Sequence, residues 1–202
     1  MNAPSSRVTV HMAMSLDGYI ARRDGGVDWM AVQDEFPTGA SLSAEEIAAF
    51  LQGIDCYVMG SRTYETALGF ERAGHGWAYG DKPVFVLTSR SLARTRDTVE
   101  FFSGDLAQLL TEQLRPRFGH IWVAGGGQVA GECLRRGLAD EVSCSVLPVA
   151  LGDGIPFFAG LDRAAPLHLV EVKPYKSGTV LLRYEVRREP EATATPVGPR
   201  RT

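Results

Sequence analysis

Short apolar runs alternate with stretches of helical periodicity along most of this chain. Eight runs have the length and apolar content of β-strands and lie at 8–14, 55–59, 83–88, 98–102, 120–124, 141–146, 167–175 and 179–187. Helical patterns lie at 44–52, 62–68, 106–114 and 128–136. Strands that alternate with helices predict an α/β fold with a mostly parallel central sheet and helices on both faces.

Residues that favour helix caps mark the starts of three of these helices. Ser43 with Glu46, and Asp105 with Gln108, have the spacing of a capping box, in which two side chains satisfy the first free N–H groups. Ser61 lies directly before the second helical pattern, and its hydroxyl is predicted to cap that helix.

Glycine and proline divide the rest of the chain. The glycine-containing stretches at 15–29 and 149–162 are predicted as loops, and a tight turn at 176–178 joins the last two strands into an antiparallel hairpin. No repeat or linker is visible, so residues 1–187 are predicted to form one domain. Residues 188–202 contain three prolines and few large apolar side chains, and we expect this tail to be disordered.

Composition and charge exclude several classes of protein. The 202 residues are 45% hydrophobic and 22% charged, which is typical of a globular protein with a sizeable core. The formal net charge is −3 and no basic block is present, which argues against a nucleic-acid partner. No apolar run approaches the roughly 18 residues that cross a membrane, and the short polar start is not typical of a secretory signal.

The chain has three cysteines, Cys56, Cys133 and Cys144. An odd number without a signal sequence fits the reducing cytoplasm. Their spacing matches no zinc-binding pattern, so no metal site is predicted. Cys56 and Cys144 fall in predicted strands, where we expect them to be unreactive core residues.

Three segments with phosphate-binding chemistry follow predicted strands. They are Met59-Gly-Ser-Arg-Thr-Tyr-Glu65, Leu87-Thr-Ser-Arg90 and Ala124-Gly-Gly-Gly-Gln-Val129. Parallel sheets place ligands at the carboxyl ends of their strands. The glycines let another molecule approach the backbone, and the helix after them offers unpaired N–H groups to an anion. A tight strand-to-helix turn without a ligand is the alternative interpretation of the glycines.

These segments resemble a known family. Met59-Gly60, Thr63-Tyr-Glu65, Leu87-Thr-Ser89 and Gly125-Gly-Gly127 are similar to the cofactor segments of dihydrofolate reductases. Met14-Ser-Leu-Asp-Gly-Tyr-Ile-Ala21 and the segment 147–157 resemble the reductase domain of bacterial riboflavin biosynthesis. The order and spacing of these motifs resemble stand-alone bacterial proteins of the dihydrofolate-reductase-like superfamily over residues 7–187.

The resemblance implies a three-layer αβα fold in which NADPH lies across the sheet ends. The residues that it places near the phosphates and ribose of this cofactor are Gly60, Ser61, Arg62, Thr63, Thr88, Ser89, Arg90, Gly125, Gly126, Gly127, Gln128 and Val129. Among these, the run from Thr88 to Arg90 is implied to lie near the 2′-phosphate, and the glycines near the pyrophosphate.

The resemblance also implies that Asp17 and Trp29 flank the nicotinamide and the substrate. Asp17 precedes Gly18 and could instead only shape a turn, and Trp29 could be a core residue. Asp34 lies near the place of the acidic residue that dihydrofolate reductases use, but the capped helix begins only near Ala44. Asp34 and ordered water therefore both stay open as the proton donor.

The function that follows from the resemblance is an NADPH-dependent reductase of a small heterocyclic substrate, either a pterin or a ribosylaminopyrimidine of the riboflavin pathway. A binding or interaction protein that kept the fold without catalysis is the alternative. The spacing of Gly125, Gly127 and Ala130 also fits the dinucleotide-binding fingerprint of short-chain dehydrogenases. That fingerprint should follow the first strand of its unit, whereas here it follows a late strand, and no Tyr-x-x-x-Lys is present.

Cofactor choice and assembly can also be predicted. Arg62 and Arg90 favour NADPH over NADH, because we expect no acid beside them and Glu65 is predicted to face away along its helix. The apolar segment 147–158 predicts a homodimer. The aromatic loop that contains His75, Trp77 and Tyr79 is predicted to be a flap or a dimer contact.

Overall fold

The computed structural model describes residues 6–32 and 34–187, and the predicted tail at 188–202 lies outside the described residues. The strands are β1 Arg7–Ser15, β2 Tyr19–Ala21, β3 Cys56–Gly60, β4 Val84–Leu87, β5 Val99–Phe102, β6 His120–Gly125, β7 Glu141–Leu147, β8 Ile155–Pro156, β9 Leu167–Pro174 and β10 Val180–Val186. The α-helices are α1 Ala44–Gln52, α2 Ser61–Phe70, α3 Leu106–Gln108 and α4 Gly127–Arg135. A 3₁₀ turn spans Asp28–Ala31, and wider helical turns extend α2 over Glu71–His75 and α3 over Leu109–Leu114.

Eight strands form one sheet in the order β5-β4-β3-β6-β1-β7-β10-β9. The five pairs of adjacent strands from β5 through β4, β3, β6 and β1 to β7 are parallel. Strand β10 is antiparallel to both β7 and β9. This arrangement confirms the predicted α/β fold and its C-terminal hairpin. The two predicted loops differ from expectation, because β2 and β8 within them pair as a separate small sheet.

Both faces of the sheet are buried, as the apolar strands require. Along β3, Cys56 and Val58 point into one hydrophobic cluster, while Tyr57 and Met59 point into a second cluster on the opposite face. The first cluster includes side chains of α3 and α4, and the second includes Tyr64 of α2. Successive residues of a strand face opposite sides, so a continuous apolar strand needs cover on both.

Two of the three predicted helix caps are present in the structure. Ser43 Oγ accepts from Glu46 N and the Glu46 carboxylate accepts from Ser43 N, which confirms the capping box of α1. The Asp105 carboxylate accepts from Gln108 N at the start of α3. The predicted cap at Ser61 is wrong, because β3 runs directly into α2 and the N-cap is Gly60, which has no side chain to donate or accept a hydrogen bond.

The aromatic loop after α2 is packed rather than free. The ring of Tyr79 lies 4.8 Å from that of Tyr57 and 5.0 Å from that of Trp77, and the Arg96 guanidinium carbon lies 4.0 Å from the Trp77 ring centre. Burial raises the pKa of Tyr79 to about 12. Trp77 and Tyr79 pack on the second cluster and do not form the expected flap, whereas the alternative of a dimer contact stays a prediction.

The three cysteines are buried and form no disulfide with one another. Burial raises the pKa of Cys56 and Cys133 to about 12, so their thiols stay protonated and unreactive at neutral pH. No helix in the part of the chain that the structure describes is long and apolar enough to cross a membrane.

Candidate functional site

The three predicted cofactor segments lie side by side at one edge of the sheet. Strands β4, β3 and β6 are adjacent and parallel, and Gly60 is in register with Leu87 while Met59 is in register with Gly125. The carboxyl ends of these strands therefore meet. Strands β1 and β7 end at the same edge, where Ser15 is in register with Leu147.

The glycine turn after β6 is packed at Gly125 and leaves space at Gly126. Gly125 has a φ of 137°, which a residue with a side chain rarely adopts, and a Cβ there would lie 2.9 Å from Thr63 Oγ1. The peptide bond between Gly125 and Gly126 is cis. Among the described residues, a Cβ on Gly126 would have one neighbour within 4 Å, Thr63 Oγ1 at 3.6 Å, so space remains beside this residue.

Two helices begin at this edge without a side-chain cap. Gly60 is the N-cap of α2 and Gly126 is the N-cap of α4, and neither supplies a side-chain hydrogen bond. By contrast, α1 and α3 are capped by Ser43 and Asp105. Uncapped N–H groups carry a partial positive charge, so the two glycine-capped helices offer a place for a phosphate.

The remaining residues of the glycine segment have different surroundings. Gly127 is buried, its carbonyl accepts from Ala159 N at 2.9 Å, and a Cβ there would overlap the Pro156 carbonyl oxygen. Gln128 is exposed and lines an open depression of about 290 Å³ between α4 and residues 159–162. Val129 packs against Gly60, since its Cγ2 atom would lie 3.6 Å from a Cβ at that position. Gly127 thus packs α4 against the segment 156–159, whereas Gln128 faces solvent.

The segment after β4 is tied to α2 by an ion pair. Arg90 Nη1 donates to Glu65 Oε2 at 3.1 Å, and Arg90 Nη2 donates to Glu65 Oε1. The expectation that Glu65 faces away is wrong: β4 lies directly beside β3, which brings the second turn of α2 against the end of β4. Thr88 Oγ1 accepts from Arg90 N at 3.0 Å, and Ser89 and Arg62 are exposed.

Asp17 holds the loop after β7. Its carboxylate accepts from Ser15 Oγ at 2.6 Å, from Leu151 N at 3.0 Å and from Gly152 N at 2.6 Å. The Ser15 hydroxyl, followed by these backbone N–H groups, lowers the pKa of Asp17 to about 2. At neutral pH Asp17 is therefore an ionised acceptor and not a proton donor.

Trp29 and Asp34 lie in different environments. Trp29 is 2% exposed, and its Nε1 atom has no hydrogen-bond partner among the described residues. Asp34 is exposed and precedes α1 by ten residues, and its N–H donates to Ser177 O at 3.3 Å, at the tip of the β9–β10 hairpin. Asp34 does not lie on a helix, and its backbone is held by the β9–β10 hairpin. Its position for any proton transfer therefore depends on that hairpin.

A further polar pair, His11 with Ser145, was not anticipated. His11 Nε2 lies 3.3 Å from Ser145 Oγ, and the imidazole stacks on Trp122 with ring centres 5.0 Å apart. Burial lowers the pKa of His11 to about 4, so the ring is neutral at neutral pH. The feature of the sequence that could have pointed to this pair is the presence of polar residues within the otherwise apolar strand β1.

Comparisons with known proteins agree with this architecture. Residues 6–181 match the family described as the RibD C-terminal domain. The Bacillus subtilis protein YwjB is 31% identical over 84% of this chain and 92% of its own length, and YyaP from the same organism is 22% identical over 91% of this chain and 96% of its own length.

Solved structures share the fold. A Shewanella sp. PV-4 protein, named provisionally as a riboflavin biosynthesis protein, superposes with a TM-score of 0.76 at 26% identity, over 90% of this chain and 99% of that one. A pyrimidine reductase-like protein from Corynebacterium diphtheriae superposes with a TM-score of 0.63 at 14% identity, over 92% and 94% of the two chains.

A bifunctional deaminase and 5-amino-6-(5-phosphoribosylamino)uracil reductase from Thermotoga maritima superposes with a TM-score of 0.62 at 17% identity. The match covers 91% of this chain and 57% of that one. The resemblance noted from the sequence motifs is thereby confirmed at the level of family and fold. The chain belongs to the RibD C-terminal domain family.

Proposed function

We propose that this protein is an NADPH-dependent reductase that transfers hydride to a small heterocyclic substrate. The observation that carries the proposal is the meeting of three strand ends and two uncapped helix N-termini around an open glycine turn. A dinucleotide with several phosphates fits such an edge, because each phosphate can take a different set of N–H groups.

The described residues fit NADPH. The turn at Gly125 and Gly126 and the start of α4 would hold the pyrophosphate through backbone N–H groups, and the open side of Gly126 admits a close approach. Gly60, Arg62 and Thr63 at the start of α2 would hold the adenosine phosphates. Bound NADPH would supply the hydride, while the protein supplies position and charge.

Trp29 and Asp17, which the resemblance implies lie beside the substrate, carry polar groups that suit a heterocyclic substrate. The unpartnered Nε1–H of Trp29 is a buried donor that a polar ring atom or a water could satisfy. Asp17 is ionised and held by three donors, so the proton that accompanies hydride transfer comes from water or from Asp34.

The relatives favour a pyrimidine over a pterin. One structural neighbour is named as a 5-amino-6-(5-phosphoribosylamino)uracil reductase and another as pyrimidine reductase-like. We therefore propose a ribosylaminopyrimidine as the substrate class, with a pterin as the second candidate. We also propose a cytoplasmic location, which the odd number of cysteines favours, and a homodimer, which the exposed apolar side chains of the edge strand β9 favour.

The decisive experiment measures binding and turnover separately. Calorimetric titration with NADPH tests the cofactor site in the parent and in Gly126→Ala, whose methyl group would fill the open side of the turn. Gly69→Ala is the control, because its new methyl group would have no atom of the described residues within 4 Å. We expect weaker binding only in Gly126→Ala. NADPH consumption is then followed with 5-amino-6-(5-phosphoribosylamino)uracil and with dihydrofolate.

The outcomes separate the candidate functions. NADPH binding with turnover of either compound supports the reductase. Binding without turnover favours a protein that kept the cofactor site and lost catalysis. A parent protein that does not bind NADPH would contradict the proposed function.

A further inference from the structure

The Glu65–Arg90 ion pair bridges two of the three segments that form the candidate cofactor site. Glu65 is in the second turn of α2 and Arg90 follows β4, so the pair spans neighbouring strand ends. Both terminal nitrogens of the guanidinium bond to the carboxylate, one to each oxygen. The side chains of Arg90 and Glu65 are 53% and 42% exposed, so the pair faces a surface that a cofactor can reach.

The ion pair occupies N–H donors of Arg90 that a phosphate would need. A guanidinium recognises a carboxylate or a phosphate through the same planar fork of N–H groups. While both terminal nitrogens are bonded to Glu65, that fork is occupied. A phosphate that used the remaining Nε side would instead lie close to the Glu65 carboxylate, and like charges repel.

We propose that Glu65 sets the cofactor selectivity of this site by competing with the 2′-phosphate of NADPH for Arg90. The inference rests on the proposed function, because it concerns the same cofactor. Bound NADH has no 2′-phosphate, so it can leave the ion pair intact. Bound NADPH has to break the pair or accept the carboxylate beside its phosphate. Glu65 therefore narrows the preference for NADPH that Arg62 and Arg90 alone would confer.

A second pair in the same helical segment provides a matched control. Glu71 lies at the start of the helical turns that extend α2, and its carboxylate pairs with Arg96. This pair lies at the other end of α2 from the Gly60 cap, away from the candidate site. Glu71→Gln removes the same charge from the same helical segment and should not alter cofactor selectivity.

The test is a calorimetric measurement of the Kd for NADPH and for NADH. In Glu65→Gln, which keeps the shape of the side chain and removes its charge, we expect NADPH to bind about three- to tenfold more tightly, since an exposed ion pair and a nearby like charge have effects of this order. Affinity for NADH should stay the same or fall. In Glu71→Gln the ratio of the two affinities should match the parent.

The double variant Glu65→Gln/Arg90→Ala tests the proposed route. If Glu65 acts through Arg90, replacing Glu65 should have a much smaller effect on NADPH affinity once Arg90 is absent. Weaker NADPH binding in Glu65→Gln, or an equal change for both cofactors, would overturn the role of Glu65 while leaving the reductase proposal intact. Absence of binding of either cofactor to the parent would overturn the proposed function itself.

Discussion

Gly127 and Pro156 are in backbone contact so close that no side chain fits between them. A Cβ on Gly127 would overlap the carbonyl oxygen of Pro156, and its next neighbours would be other backbone atoms of the segment 156–157. The Gly127 carbonyl also accepts from Ala159 N at 2.9 Å. One turn further along α4, a Cβ on Gly131 would overlap the Ala159 carbonyl oxygen. Helix α4 is thus held against this loop by its glycine side.

The first prediction is that Gly127→Ala destabilises the protein by about 2–4 kcal/mol, because backbone has to shift to admit the methyl group. The free energy of unfolding in urea measures this effect. Gly126→Ala is the control, since the nearest atom to its methyl would be Thr63 Oγ1 at 3.6 Å, and its unfolding free energy should change little. Equal losses in the two variants would contradict the packing argument.

The second prediction concerns Asp17, which we expect to stabilise the fold rather than to donate a proton. Its pKa of about 2 lies below the ordinary value of 3.8, so its stabilising effect is present above about pH 3.8 and is lost as the pH falls through about 2. Asp17→Asn should lower the melting temperature at neutral pH and reduce its dependence on pH over this acidic range. The exposed Asp81→Asn serves as the control. A melting temperature equal to that of the parent would show that Asp17 does not hold the 151–152 backbone.

The third prediction is a loss of stability when His11 must take up a proton. The folded-state pKa of about 4 lies below the ordinary value of 6.5, so the unfolded chain binds the proton more readily. Stability should therefore fall by about 3 kcal/mol as the pH drops from about 6.5 to about 4. Burial also lowers the pKa of His120, so the parent is compared with His11→Gln in urea unfolding at several pH values. A parent and variant with the same pH dependence would contradict the burial of a neutral His11.

The fourth prediction is that Arg62→Ala weakens NADPH binding about ten- to a hundredfold, the effect of one charge-assisted contact of about 1.5–3 kcal/mol. Binding of NADH should barely change, since it lacks the 2′-phosphate. Arg72→Ala, an exposed position beyond α2, is the control, and fluorescence titration measures both cofactors. An equal loss for NADPH and NADH would mean that Arg62 contacts a group that the two cofactors share.

The fifth prediction is a homodimer, although two large apolar side chains of the segment 147–158, from which the sequence predicts it, are buried within the chain. Leu147 and Phe157 are buried, at 8% and 4% exposure. The exposed apolar side chains lie instead on the edge strand β9, where Leu169 and Val172 are 48% and 53% exposed. Light scattering should report twice the monomer mass for the parent and a lower mass for Leu169→Glu/Val172→Glu. A parent that is monomeric at micromolar concentration would contradict the dimer.

Local chemistry along the chain determined much of the fold. The alternation of apolar runs and helical patterns predicts the order of the main strands and helices, and Ser43 with Glu46 caps α1 through contacts only three residues apart. The hairpin turn at 176–178 also depends on neighbouring residues alone. These features follow from the sequence because hydrogen-bond geometry and periodicity operate over a few residues.

The tertiary structure decided which distant residues meet. Glu65 and Arg90 are 25 residues apart, and they pair only because β3 and β4 are neighbours in the sheet. Asp17 reaches the backbone of Leu151, 134 residues away, because β1 and β7 end side by side. Strand order is not encoded in the periodicity of any single strand, since the same apolar pattern fits any place in a buried parallel sheet. The sequence alone therefore predicted three phosphate-binding segments, whereas the packing of the sheet decided that one of their arginines already has a carboxylate partner.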